Sequence, residues 1–150
     1  MKKTVAELGY RPEIAPSPIE QLERRIGQEA QGAIPDPVSK AVVEAAEADK
    51  LVFVDFYAEW CGACKVLDRT TFKDPAVIKT LGGFVFLKVD ADKYPDTLRY
   101  FDIVGMPTLI VLNTAGHEIY RQVGLISADK LKQELQSVRS KEAKKQPTDS

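Results

Sequence analysis

At 150 residues the chain has room for one domain with a single core, and 44% hydrophobic with 29% charged residues is the make-up of an ordinary globular protein. A net charge of -1 excludes a broad basic face for nucleic acid or an anionic membrane. No run approaches the ~18 to 20 apolar residues of a membrane span, and two cysteines only three positions apart exclude a framework that staples distant segments together.

Residues 1–35 read as an N-terminal extension, punctuated by Pro12, Pro16, Pro18 and Pro35 and with little to bury. Met1-Lys2-Lys3 is basic, yet Thr4 to Arg11 holds no apolar run of ~7 to 15 residues, so no export signal is read. As written the chain is expected in the cytoplasm, and in the periplasm if a leader has been removed. Ser17-Pro18-Ile19-Glu20 has the form of a capping box, and Ile19, Leu22, Ile26 and Ala30 share one face, which predicts a short amphipathic helix up to Gly32.

Asp36-Pro37 then signals a helix carrying Val38, Val42, Ala45 and Ala46 and ending near Asp49. From Leu51 to Ala58 the period changes to a β-rich apolar run, the pattern of a strand covered on both faces. Helical material follows from Cys61, restarts at Asp74-Pro75 and stops at Gly82-Gly83. Phe84 to Val89 is the next strand, and strand, helix, strand makes the two strands a parallel pair. A short helix from Pro95 to Phe101 leads to a third strand, Thr108 to Leu112, and a hairpin through Asn113 to Gly116 returns along Ile119 to Val123. Ser127 opens a last helix with Leu131 and Leu135. The domain is expected over 36–139, with a disordered polar tail over 140–150. The fold class is therefore α/β, with a mixed central sheet of four to five strands and helices on both faces.

Cys61 stands where the first core strand hands over to a helix. Unpaired backbone N–H groups and the positive end of the helix dipole favour thiolate there, which makes Cys61 the attacking group. Cys64, one turn later, neighbours it on the helix and can close a small ring with it, releasing whatever Cys61 has captured. A zinc or iron-sulfur site needs about four Cys or His ligands, and the chain offers two Cys and His117. Covalent haem attachment needs His after the second cysteine, where Lys65 stands. No metal and no organic cofactor are expected. An inert pair of buried thiols stays open as the alternative at this point.

Asp55 is a carboxylate inside the apolar run Val52 to Tyr57, costly to bury unless paired or protonated. A raised pKa near the cysteines makes it a candidate general base for the Cys64 proton. The other reading is a structural ion pair with Lys88, and both can hold. Trp60, the sole tryptophan, is read as part of a binding surface. Pro107 opens a strand after Met106, where proline lacks a ladder donor and cis is tolerated.

The segment Asp55 to Lys65, with Val104-Gly105-Met106-Pro107-Thr108 and Val123-Gly124, resembles the thioredoxin superfamily over roughly residues 36–138. Thr71-Phe72-Lys73-Asp74-Pro75-Ala76-Val77 looks like the C-terminal thioredoxin-like domain of the bacterial thiol:disulfide interchange reductase and its soluble relatives, with thioredoxins proper next. That resemblance implies a three-layer thioredoxin-like fold and a protein-disulfide reductase. It makes Cys61 the nucleophile, Cys64 the resolving cysteine, and Asp55 and Lys88 the buried acid and its lysine. Pro107 would be cis, and the Met106 backbone would pair with an extended substrate beside Trp60, Gly62 and Ala63. The implied partners are protein disulfides and an upstream dithiol donor, for a monomer with no membrane span. Ala63 stands where thioredoxins usually have proline, and the extension has no counterpart in the minimal fold. A reading of another class is a binding module without turnover, or a holder of Cu(I) on two thiolates.

Overall fold

The computed structural model describes residues 34–145. The expected helix within residues 17–32 and the tail beyond Lys145 lie outside the described residues.

Helix α1, Val38–Ala48, buries Val38, Ala41 and Ala45. Its start differs from the expected cap: the Asp36 carboxylate accepts from the Ser39 hydroxyl, and no side chain caps the helix N–H groups. It ends on Asp49 in the left-handed conformation (φ 56°), which Asp tolerates better than most residues, and Lys50 N–H closes the turn on the Ala45 carbonyl at 2.9 Å.

Strand β1, Leu51–Tyr57, is buried along its whole interior, as an apolar run interrupted only by Asp55 requires. Helix α2, Gly62–Arg69, gives way to a 3-10 turn, Thr71–Lys73. Helix α3, Pro75–Leu81, is capped by Asp74, whose carboxylate accepts from the N–H groups of Ala76 (2.8 Å) and Val77 (3.2 Å). Strand β2, Phe84–Asp90, helix α4, Pro95–Tyr100, strands β3, Thr108–Leu112, and β4, Glu118–Val123, and helix α5, Ala128–Lys145, complete the order.

The four strands lie in the order β2-β1-β3-β4. β1 and β2 run parallel, while β3 pairs antiparallel with both β1 and β4. The β3–β4 hairpin turns on Gly116 (φ 87°), and the Asn113 side chain accepts from the N–H groups of Ala115 and His117.

Alternation along β1 splits the core. Phe53, with Leu109 and Val111, packs under Leu67 of α2, Val77 of α3 and Leu131 and Leu135 of α5. Val52, Val54 and Phe56 point the other way, toward α1 and toward Phe101, whose ring lies 6.0 Å from that of Phe56. This is the α/β sheet with helices on both faces that the periodicities predict. The last helix is longer than expected. It runs to Lys145 rather than stopping near 139, because the run from Lys141 to Lys145 is built of strong helix formers and continues a helix already nucleated by the buried Leu131 and Leu135.

Candidate active site

The end of β1 and the start of α2 place the cysteine pair. Cys61 is the N-cap of α2 in extended conformation, and its sulfur accepts from the Cys64 N–H at 3.1 Å. The two sulfurs are joined in a disulfide with Cα atoms 5.2 Å apart. Both residues are buried, in a small cluster with Ala58 and Ala91, against which Tyr57, Ala63, Leu98 and Met106 pack. A backbone donor aimed at Cys61 Sγ at a helix start is the environment that stabilises a thiolate when the bond is opened.

The Met106–Pro107 bond is cis. The Met106 carbonyl oxygen lies 3.5 Å from Cys61 Sγ, so the backbone before Pro107 borders the reactive sulfur. Pro107 is tied in turn to the far side of the sheet end: Gly124 N–H donates to its carbonyl at 2.9 Å, with Gly124 at φ 89°. Trp60 is 66% exposed, and its indole N–H donates to Asp92 at 3.0 Å, which holds the ring at the rim. Gly62 is exposed with open space where a side chain would stand. All five residues expected at a binding surface, Trp60, Gly62, Ala63, Met106 and Pro107, therefore sit around one disulfide.

Asp55 lies in the middle of β1 and is almost fully buried. It shares a sheet face with Phe53, which packs on Leu67 of α2, and with Tyr57, which packs on the cysteine cluster. The β1–β2 register sets it directly beside Lys88, whose Nζ reaches Asp55 Oδ2 at 3.5 Å. The same ammonium donates to both oxygens of Asp68, at 3.0 and 3.2 Å, and stands 4.7 Å from the centre of the Tyr57 ring. Asp55 Oδ1 is buried without a hydrogen-bond partner. Burial is the largest influence on this carboxyl and pushes it up to about 6; Lys88 pulls against that and Asp68 adds to it. The Lys88 ammonium is held above its ordinary range: burial opposes its charge, and the two carboxylates outweigh that.

Asp68 and Asp92 are the site residues that sequence reasoning missed. Asp68 carried a readable signal, being four residues beyond Cys64 and so one turn along the same helix face. Asp92 carried none, since it meets Trp60 across 32 positions of sequence. Among the described residues no group of three or more His, Cys, Asp or Glu side chains is placed to hold a metal ion, and no helix is long and apolar enough to cross a membrane.

Comparison with known proteins agrees with this geometry. The thioredoxin family profile matches residues 38–137. The thiol:disulfide interchange protein DsbD of Citrobacter koseri is 39% identical over 87 residues, covering 55% of this chain and 15% of that protein. The DsbD of Colwellia psychrerythraea is 31% identical over 110 residues, or 69% of this chain and 17% of that protein. The chain thus spans about a sixth of the length of the curated relatives it matches. Among solved structures, the C-terminal domain of Neisseria meningitidis DsbD in the oxidised form has a TM-score of 0.60 at 25% identity, over 68% of this chain and 93% of that one. A thioredoxin from Thermus thermophilus has a TM-score of 0.63 at 27% identity, over 71% of this chain and 85% of that one.

Proposed function

This chain belongs to the thioredoxin family, and from that premise we propose that it is a thiol-disulfide oxidoreductase that reduces disulfides in protein substrates, with an upstream dithiol donor restoring its own. The observation that carries the reading is the disulfide between Cys61 and Cys64 at the start of α2, with the Met106 backbone beside the Cys61 sulfur.

In the reduced protein Cys61 acts as the thiolate, stabilised by the Cys64 N–H and the helix start. An extended substrate segment lies along Met106, bringing one of its sulfurs to Cys61 between Trp60 and the Gly62-Ala63 turn. Attack forms a Cys61–substrate disulfide and expels the first substrate thiolate. Cys64 then loses its proton and attacks Cys61 Sγ, which forms the Cys61–Cys64 bond and expels the second substrate thiolate. Two electrons pass from the dithiol to the substrate, and the protein is left in the disulfide form. Asp55 takes the Cys64 proton, supported by its place on the sheet face beneath α2 and by a carboxyl that titrates at about 6. Lys88 sets that carboxyl's charge by bridging it to Asp68.

Location in the cytoplasm and action as a monomer belong to the same reading; cell fractionation and sedimentation check them, with export or a stable dimer as the opposing outcomes. The central test is turnover. Cys61→Ser should abolish dithiol-driven reduction of a model protein disulfide, and Cys64→Ala should accumulate the mixed disulfide, visible by mass. Unchanged reduction by Cys61→Ser would refute the assignment. Equilibration against glutathione fixes the direction, because a reductant lies well below the glutathione potential.

A further inference from the structure

Arg121 on β4 has no place in the exchange chemistry, yet its guanidinium is closely engaged. Its Nε and Nη2 donate to the two carboxylate oxygens of Glu118 at 2.6 and 2.7 Å, with both side chains only 31% exposed. The rest of the fork goes to main chain: Nη2 also donates to the Phe101 carbonyl at 2.6 Å, and Nη1 to the Asp102 carbonyl at 3.3 Å.

Those two carbonyls close α4. A helix leaves its last C=O groups without partners of its own. Here Asp102 turns left-handed (φ 55°) and Ile103 N–H folds back on the Leu98 carbonyl at 2.9 Å. Arg121 supplies the cation that satisfies this end, and the two bonds to Glu118 fix the direction of its fork.

The segment that leaves this anchor carries the backbone beside the dithiol. Within it Val104 is almost wholly exposed and Gly105 has open space where a Cβ would stand, so the middle of the loop gains little from packing. Its far end is held by Gly124 N–H on the Pro107 carbonyl at 2.9 Å. Both anchors therefore come from one short stretch of chain, residues 121 to 124. Between them the Met106 carbonyl lies 3.5 Å from Cys61 Sγ. The side chains of Met106 and of Leu98, which receives the Ile103 N–H, both pack on the cysteine cluster.

We propose that Arg121, oriented by Glu118, is a positioning residue for the exchange: it fixes the entry to loop 103–106 so that the Met106 backbone stands ready to pair with an extended polypeptide. The proposal rests on the thiol-disulfide exchange described above. Its signature is selective. A polypeptide disulfide uses that backbone and a small disulfide does not, so a loosened anchor weakens binding of the first and spares the second.

The test uses the full chain, a dithiol reductant and two disulfides with the same leaving group. One is an alanine-based peptide whose single cysteine is bonded to 2-mercaptoethanol, the other bis(2-hydroxyethyl) disulfide. Arg121→Met keeps an aliphatic stem and removes the fork. It should raise KM for the peptide about fivefold or more with kcat within about twofold, and leave kcat/KM for the small disulfide within about twofold. Amide hydrogen exchange should quicken over residues 102–106 and stay unchanged in β1. Glu118→Gln should move the peptide KM the same way by less, and carries the comparison if Arg121→Met does not fold. Asp74→Ala, which loses the cap of α3, controls for stability alone and should leave the peptide KM where it was. A peptide KM within about twofold of the unmodified protein in both variants would overturn the positioning role and leave the exchange reading intact. So would a small disulfide slowed as much as the peptide, or a peptide KM raised equally by Asp74→Ala. An unmodified protein that turns over neither disulfide would sink the exchange reading and the positioning role with it.

Discussion

Replacing Asp55 by Asn should make the folded protein more stable at neutral pH while impairing its chemistry. Burial raises this carboxyl from an ordinary 3.8 to about 6, so between those values the folded state keeps a proton that the unfolded chain has released. Stability of the unmodified protein therefore falls as pH rises through that window and is level above it. At 1.36 kcal/mol for each pH unit of displacement, the ionised carboxylate costs the folded state on the order of 3 kcal/mol at neutral pH. The amide of the Asp55→Asn variant stays neutral and avoids that cost. Guanidinium unfolding of the oxidised protein at pH 7.5 should show a midpoint raised by roughly 0.5 to 1.5 M for a slope of ~2 to 6 kcal/mol per M, and the advantage should vanish near pH 4. Stopped-flow kinetics on the same variant should show release of the mixed disulfide slowed more than its formation, since only release needs the Cys64 proton removed. A variant no more stable at pH 7.5, or equally favoured at both pH values, would refute the claim that Asp55 is held charged against its surroundings.

The ion network makes a prediction of opposite signs. Lys88→Met removes the cation that lowers Asp55, so the carboxyl should titrate above about 6, whereas Asp68→Asn removes a like charge and should lower it; carbon NMR of the carboxyl reads both. Thr71→Val keeps the shape of the side chain but leaves the Ile126 carbonyl without its hydroxyl donor. A loss of about 1 to 3 kcal/mol by denaturation is expected.

What the sequence discloses here follows from how local each cause is. The largely apolar runs of β1 and β2, the Asp74-Pro75 cap and the hairpin at Asn113 are each set by a few consecutive residues, and each is found where it is expected. The pairing of Asp55 with Lys88 is also legible, because two charges within neighbouring buried strands have little else to meet. Contacts that join separate elements are not legible in this way. The Asp68 carboxylate reaches Lys88 only because α2 crosses the strands at one particular height, and the Trp60–Asp92 bond depends on where two loops end. The end of α5 escapes the sequence for another reason: its last turns bury nothing periodic, so their helicity comes from residue propensity and continuation of an existing helix.

The tether between the indole of Trp60 and Asp92 has a practical consequence. It holds the sole tryptophan, two-thirds exposed, at a fixed rim position next in sequence to Cys61. If the bonded sulfur pair drains the excited ring more than the open dithiol does, emission from the unlabelled polypeptide should change on reduction, and Asp92→Ala, which releases the ring, should alter the size of that change.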